Sequence, residues 1–277
     1  MKVFIVGLGL MGGSYALGLK DKNYEVFGYD HKNDVVHKAM NDGLIKGSDF
    51  NDLASADLVI LALYPKENIH FLNTHKQYFK KQLITDLAGT KEHLVKEVIQ
   101  LFPNGIRYVS HHPMAGKEKS GYANIDSKMF LNANFLVVDT PYSNASDIEI
   151  IKKLGKDLGF GRITVLSPYE HDHLIAHTSQ LTHLLAVGLM LIDKVDHTKD
   201  ATGDSFRDLT RIAKINEDMW TELFLDNKDA LIEKTDEFIQ VLNDIKQSII
   251  NNDSKKIKQM LKESKEKRIA FDVNKYE

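Results

Sequence analysis

The sequence predicts an α/β protein: a doubly wound, mostly parallel sheet over residues 1–166, followed by an all-α stretch over residues 167–277. Three observations predict it. Short apolar runs alternate with helix-like segments as far as about residue 166, which implies right-handed crossovers and parallel strands. The first of these runs feeds straight into a glycine-rich turn. After Pro168 the apolar runs stop and helical periodicity takes over, placing a boundary near Ser167.

Taken in order, Val3-Phe4-Ile5-Val6 has the unbroken apolar pattern of a buried strand, and Glu25 to Asp30 is the second. Ala56 to Leu63 is the third, closed by Tyr64-Pro65. Gln82 to Asp86, Arg107 to Ser110, Asn134 to Val138 and Ile163 to Val165 follow. Between the fourth and fifth, Lys91 to Phe102 carries apolar residues at helical spacing. In the second half the period is clearest at Leu231, Phe238, Leu242, Ile245 and Ile249, a stripe that suits a core or a homodimer surface. Asp253-Ser254 then reads as the start of a last helix bearing Ile257, Met260 and Leu261.

Bulk properties narrow the classes. With 36 basic and 39 acidic side chains the formal charge is -3, and no clustered basic face argues for nucleic acid. The absence of cysteine excludes disulfides, thiolate catalysis and cysteine metal sites, and is compatible with the cytoplasm. Lys2 before an apolar run resembles a secretory leader, but Gly7, Gly9, Gly12, Gly13 and Gly18 punctuate that run and no small-residue cleavage site follows. No later stretch reads as the roughly 18 unbroken apolar residues of a membrane span. The expectation is a soluble, cytoplasmic protein without membrane or nucleic-acid partners.

Gly7-Leu8-Gly9-Leu10-Met11-Gly12 is a G-x-G-x-x-G that follows a strand and opens a helix, the Rossmann-type dinucleotide fingerprint. Gly7 permits the tight turn, Gly9 lets a pyrophosphate approach the backbone, and Gly12 lets the helix pack closely on the strand. The helix N-terminus supplies free N–H donors and a favourable dipole for the phosphates. Asp30 ends the second strand, 18 residues after Gly12, where a carboxylate accepts both adenosine ribose hydroxyls and repels a 2′-phosphate. NAD is therefore expected over NADP, with His31 and Lys32 nearby as the counter-argument. A helix cap is the other reading of Asp30.

Candidate chemistry lies at strand ends. His111-His112-Pro113 follows the strand ending at Ser110, on the side of an open sheet where ligands bind. Imidazole suits the removal of a hydroxyl proton as hydride leaves, although a histidine before proline is also a common turn residue. Thr90, in Asp86-Leu87-Ala88-Gly89-Thr90-Lys91, is either a helix N-cap or a donor to a substrate hydroxyl. Arg207 and Arg211, two of only five arginines, share a helix face at i, i+4 and suit a carboxylate-bearing substrate. Surface pairing with Asp204, Asp208 or Glu217 is the plainer alternative. His173 and His177 also stand at i, i+4, but no third ligand has recognised spacing, so no metal is expected.

Together, Gly7 to Ser14, Asp86 to Lys91, His112 to Gly121, Ser179 to His183 and Phe206 to Trp220 resemble the prephenate dehydrogenase family along nearly the whole chain. The resemblance implies NAD-dependent oxidative decarboxylation of prephenate to 4-hydroxyphenylpyruvate in tyrosine synthesis, on a small dicarboxylate substrate, by a dimer formed through the helical domain. It also implies that His112 is the catalytic histidine, that Arg211 binds a substrate carboxylate and that His183 lines the same pocket. By the same resemblance Glu118 and Asp208 organise the site, and Trp220 closes the cleft. Ala88 and Gly89 depart from the family's Asp-x-Gly-Ser-x-Lys and remove a serine hydroxyl, for which Thr90 is the nearest substitute. Ser179-Gln180-Leu181-Thr182-His183 retains only the second histidine of Ser-His-Leu-Pro-His. The C-terminal regulatory domain of some relatives has no counterpart in this length.

Alternative readings are an arogenate dehydrogenase, a 3-hydroxyacid dehydrogenase and a non-catalytic NAD-binding regulator. The hydroxyacid enzymes share the glycine-rich start, but the Lys-x-x-Asn expected after His183 is missing. Gly89 is the best support for a regulator, and the presence of both His112 and Arg211 opposes it.

Overall fold

The computed structural model describes residues 1–116 and 119–273. Five strands, β1 (Lys2–Val6), β2 (Glu25–Tyr29), β3 (Leu58–Leu61), β4 (Leu83–Asp86) and β5 (Arg107–Tyr108), form one sheet in the order β2-β1-β3-β4-β5. Every pairing in it is parallel. β1, β3 and β4 are buried nearly throughout because both faces of the sheet are covered, which is why Val3 to Val6 and Leu58 to Leu61 are unbroken apolar runs, while β4 ends in the buried polar pair Thr85 and Asp86.

Alternation along β1 sorts its side chains between two cores. Val3 and Ile5 face α1 (Leu10–Leu19) through Tyr15 and Leu19, joined by Ile151 and Leu154 of α6 (Ala145–Leu158). Phe4 and Val6 face the opposite way, with Phe71 and Leu72 of α4 (Pro65–Thr74) and Leu94, Val95 and Val98 of α5 (Glu92–Leu101). The short helices α2 (Asn33–Asn41) and α3 (Phe50–Ala54) contribute Val36 and Ala39 to the first core and Leu53 to the second. Each such buried aliphatic or aromatic side chain contributes about 1.5–3 kcal/mol of transfer free energy.

The mostly parallel sheet expected from the sequence is divided in two. Arg107 to Ser110, read as one strand, is broken at Val109, where the chain leaves the first sheet. A second sheet then forms from β6 (Ser110–Met114), β7 (Asn134–Val138) and β8 (Arg162–Leu166), in that order. β6 pairs with β7 antiparallel and β7 with β8 parallel. His111-His112-Pro113 therefore lies within a strand instead of in the turn after one. Pro113 is tolerated because β6 is an edge strand and needs no ladder donor on its outer side.

Among the described residues the strands end at Leu166, and helices α7 (Pro168–Ile175), α8 (Leu181–Leu191), α9 (Thr198–Ala201), α10 (Asp204–Thr210) and α11 (Glu217–Asp226) follow. Ser167 starts α7 with a capping box: its side chain accepts from the Glu170 N–H while Glu170 accepts from the Ser167 N–H. A π-helical turn, Ala176–Gln180, joins α7 to α8. α7 packs against α5, β7 and β8, so the first compact unit carries past Ser167 and runs from Met1 to Lys228. The second unit, Asp229–Glu277, holds nearly all of α12 (Lys228–Ile250) and the whole of α13 (Ser254–Val273).

One sequence expectation is revised here. The continuous helical run Pro168–Leu191 is long and apolar enough, by length and composition, to cross a membrane. It nevertheless contains Glu170, His171 and Asp172 in its first turns, and His171 and Asp172 are buried inside the first unit.

Of the described glycines, Gly12 leaves the least room for a side chain. A Cβ there would lie 1.8 Å from the Gly7 carbonyl oxygen, so α1 can sit against the turn only with glycine. Gly12→Ala should lower the unfolding free energy by about 1–3 kcal/mol through overpacking. An unchanged urea midpoint would show that the turn yields.

Candidate active site

In an open parallel sheet, ligands bind beyond the carboxyl ends of the strands where the strand order reverses, here between β1 and β3. A cleft of about 1550 Å³ opens at that point, lined by Gly7 and Gly9 after β1 and by Ala62 and Leu63 after β3. That volume exceeds the roughly 300–1,000 Å³ of a single drug-sized site and has room for two ligands side by side.

At one end of the cleft a glycine turn leads into the start of α1. Gly7 holds φ +89°, a conformation that side chains disfavour, and its N–H donates to the Tyr29 carbonyl at 2.7 Å. Gly9 is the N-cap of α1 and brings no side chain to the first-turn N–H groups. Asp30 lines the cleft as well, and both its oxygens already have protein partners. Oδ2 accepts from the Leu8 N–H at 2.9 Å and Oδ1 from the Lys32 N–H at 3.0 Å, while His31 Nδ1 lies 3.3 Å from Oδ1. The carboxylate thus fixes the glycine turn, with further lone pairs available to hydroxyls. Leu10 and Met11 line the cleft, whereas the Leu8 side chain is fully buried in the core and Gly12 lies under the turn.

At the other end the cleft is lined by His112, Gln180, His183, Trp220 and Leu223. His112 enters through β6, opposite Leu136 of β7. Its Nδ1 shares a hydrogen bond of 3.0 Å with His171 Nε2, and His171 Nδ1 shares one of 2.7 Å with Asp172 Oδ1. Burial, then the neighbouring His171 and Lys91, hold the His112 imidazole well below its ordinary value, so it is neutral at pH 7. Burial does the same to His171. Burial raises the Asp172 carboxyl to about 6, against the N–H groups of Lys91 and Glu92 that donate to it. His183 stacks on Trp220 with ring centres 3.8 Å apart, and its Nδ1 lies 2.9 Å from the Ser179 carbonyl.

Beneath His112 lies a buried ion pair. Lys91 and Asp86 are both fully buried, with Lys91 Nζ 2.8 Å from Asp86 Oδ1 and 2.7 Å from the His111 carbonyl. Tyr108 donates to Asp86 Oδ2 at 2.7 Å. Burial by itself raises the Asp86 carboxyl, but Lys91 and its hydrogen-bond donors more than offset this and hold it below the usual range. His111, beside His112 in sequence, is a structural residue: Tyr15 Oη and Thr85 Oγ1 engage its two ring nitrogens, and burial lowers it to about 3.

Several residues singled out from the sequence are placed elsewhere. Thr90 is 1% exposed and its hydroxyl makes no hydrogen bond, so it does not reach the cleft as a donor. A side chain at position 89 would instead face the site, its Cβ 3.1 Å from Leu223 and 4.0 Å from His112 Cε1. The backbone turn that carries Lys91 inward to Asp86 also turns Thr90 away from the cleft. α10 ends at Thr210 and Arg211 opens a short 3₁₀ turn, but the Arg211 N–H still donates to the Arg207 carbonyl, so the two arginines keep their i, i+4 relation. Arg207, Asp208 and Arg211 are exposed and lie outside the cleft lining. Arg207 Nη1 is 3.5 Å from Asp204, the surface pairing considered above, and its Nη2 donates to the Thr202 carbonyl. Glu118 lies outside the described residues. His173 bonds to the Tyr169 carbonyl, and the described residues hold no cluster of three or more metal-binding side chains.

The sequence reading missed His171 and Asp172 as partners of His112, and Lys214 and Lys119 as cations on the cleft wall. A histidine-aspartate pair at the start of a helix was the available signal.

Residues 15–165 match the family model described as prephenate dehydrogenase, nucleotide-binding domain, and residues 167–263 match prephenate dehydrogenase, dimerization domain. It belongs to the prephenate dehydrogenase family. The family places it among NAD-binding oxidoreductases of the prephenate and arogenate type. The chain is 31% identical to a prephenate dehydrogenase of Lactococcus lactis, covering 99% of this chain and 78% of that protein. It is 30% identical to a cyclohexadienyl dehydrogenase of Zymomonas mobilis, covering 97% of this chain and 95% of the relative. Its fold superposes with a TM-score of 0.88 on the crystal structure of prephenate dehydrogenase from A. aeolicus in complex with hydroxyphenyl propionate and NAD+, 27% identical and covering 98% of each chain.

Lys91→Met would leave an ionised carboxylate buried without its partner, and stability should fall by about 3–5 kcal/mol. The loss should shrink as pH falls and Asp86 takes up a proton. Urea titrations at two pH values test both statements; a loss that is small and independent of pH would show that Asp86 finds another partner.

Proposed function

We propose that the chain oxidises prephenate with NAD and decarboxylates it to 4-hydroxyphenylpyruvate. The observation that carries this reading is a neutral His112 on the wall of the dinucleotide cleft, with one ring nitrogen committed to His171 and the other left to serve a substrate. When bound, the nicotinamide supplies the hydride acceptor. Gly7, Gly9 and the start of α1 would hold the pyrophosphate, and the negative charge of Asp30 favours NAD over its 2′-phosphorylated form. His112 takes the proton of the ring hydroxyl as the carbinol carbon gives up hydride. The ring carboxylate then leaves as carbon dioxide and its electrons complete the aromatic ring. His183, stacked on Trp220, borders the same space, and Lys214 or Lys119 can face a carboxylate.

A homodimer and a cytoplasmic setting are part of the same reading. The match to a dimerization domain supports the first. So do exposed apolar side chains in each unit: Leu191 and Ile192 are more than 70% exposed in the first, and Leu242 and Ile249 are exposed in the second. Arogenate is the second substrate to weigh, since the Z. mobilis relative is a cyclohexadienyl dehydrogenase.

Following NADH absorbance with prephenate, with arogenate and NADP assayed in parallel, tests the reaction. Prephenate with NAD should turn over fastest, and silence with every pairing despite NADH binding would favour a regulator. His112→Asn should lower kcat by roughly 10²–10⁴, the range for a lost general base. Near-normal turnover would remove His112 from the mechanism. Sedimentation at micromolar concentration should give the mass of two chains, and a monomer throughout would reassign the apolar faces.

A further inference from the structure

Two neutral imidazoles in series transmit a choice of tautomer, because each must donate with one nitrogen and accept with the other. In the line Asp172–His171–His112 the distances are 2.7 and 3.0 Å, and every group but the cleft side of His112 is buried. The Asp172 carboxylate is anchored independently: Oδ1 and Oδ2 accept from the Lys91 N–H at 2.9 and 3.1 Å, and Oδ2 accepts from the Glu92 N–H at 2.8 Å. The Asp172 carbonyl accepts from Asn227 Nδ2, which also donates to Gln180 Oε1. The carboxylate is therefore held toward His171 by the start of α5, and the backbone of α7 by α11.

We propose that Asp172 acts through His171 as a tautomer selector, keeping the proton of His112 on Nδ1 so that Nε2 meets the substrate hydroxyl as an acceptor. This rests on the proposed role of His112 as the base, and it assigns His171 and Asp172 as positioning residues that do not touch substrate. With Asp172 ionised, His171 Nδ1–H donates to it, His171 Nε2 accepts, and His112 Nδ1–H donates to that nitrogen. His112 Nε2 then carries a lone pair. Protonating Asp172 reverses every donor in the line: the carboxyl O–H donates to His171 Nδ1, His171 Nε2–H donates to His112 Nδ1, and His112 presents Nε2–H, which cannot accept a proton. No net charge moves along the line; one proton is added at its far end.

The surroundings bear on where that reversal falls. Lys91 and His173 favour the Asp172 anion, and Asp226 faces it as a like charge with His93 beyond. His112 is faced by His171, Lys91 and Asp86. Because burial brings Asp172 to about 6 while both histidines stay neutral, activity should drop as pH falls through that value, ahead of any protonation of His112 itself.

Asp172→Asn tests the assignment on the full-length chain. The amide oxygen can still accept from Lys91 and Glu92, and its N–H then faces His171 and fixes the reversed line. Nitrogen NMR of the ring of His112 should report the Nδ1–H tautomer in the native protein and Nε2–H in the variant. kcat should fall by at least about 10²-fold with KM little changed, on the scale of a triad locked in the wrong tautomer. The pH step near 6 should disappear from what activity remains. His171→Gln, whose side-chain oxygen accepts from His112 Nδ1–H, should retain far more activity than His171→Leu. The NMR arm needs no substrate, so it stands even if prephenate is not turned over. An unchanged His112 tautomer in Asp172→Asn, or equal losses in His171→Gln and His171→Leu, would overturn the proposal.

Discussion

The buried pair of Lys91 and Asp86 is the interaction on which the site depends. Each charge taken from water costs several kcal/mol, so the pair persists only because its geometry and its extra hydrogen bonds are satisfied together. Satisfying them joins three parts of the chain. Asp86 ends β4, Lys91 precedes α5, and the ammonium also bonds the His111 carbonyl of β6. The Lys91 backbone N–H reaches Asp172 of α7. One residue thus joins the first sheet, the second sheet and the helices after Ser167, and His112 sits where they meet. A shift of any one would leave a charge or a carbonyl unpaired in the interior.

The same economy of contacts governs the dinucleotide end. Asp30 reads from the sequence as a ligand to ribose, and in the fold it also restrains the turn by accepting from Leu8. One carboxylate therefore ties the glycine turn to the end of β2 and places its oxygens on the cleft wall. Gly12 contributes nothing to the cleft wall and acts wholly through close packing on Gly7.

Between α7 and α8 the π-turn widens the helix by a residue per turn, and it lies where Ser179 and Gln180 line the cleft. Gln180 is tied at both ends of its amide, donating to the Leu223 carbonyl and accepting from Asn227. The wall opposite His112 is thereby set by polar side chains of α8's approach and by the aromatic pair His183 and Trp220.

What the sequence determined by itself was local and periodic. Short, largely apolar runs identified seven strand segments, a strand running into G-x-G-x-x-G identified the glycine turn, and the loss of those runs after Pro168 identified the change to helices. The family resemblance also brought His112, His183 and Trp220 forward, and all three line the cleft. Tertiary structure decided what depends on direction and partnership. Breaking the chain at Val109 moved His112 from a turn into an edge strand, because pairing with β7 is a non-local gain that no local pattern records. Thr90 was turned inward by the pull of Lys91 toward Asp86, and Arg207 and Arg211 were left outside the cleft lining. His171, 59 residues from His112, became its partner only through the docking of α7 on α5 and the second sheet. Spacing along a chain fixes which side chains share a face; which buried groups must satisfy one another is settled only when distant segments leave water together.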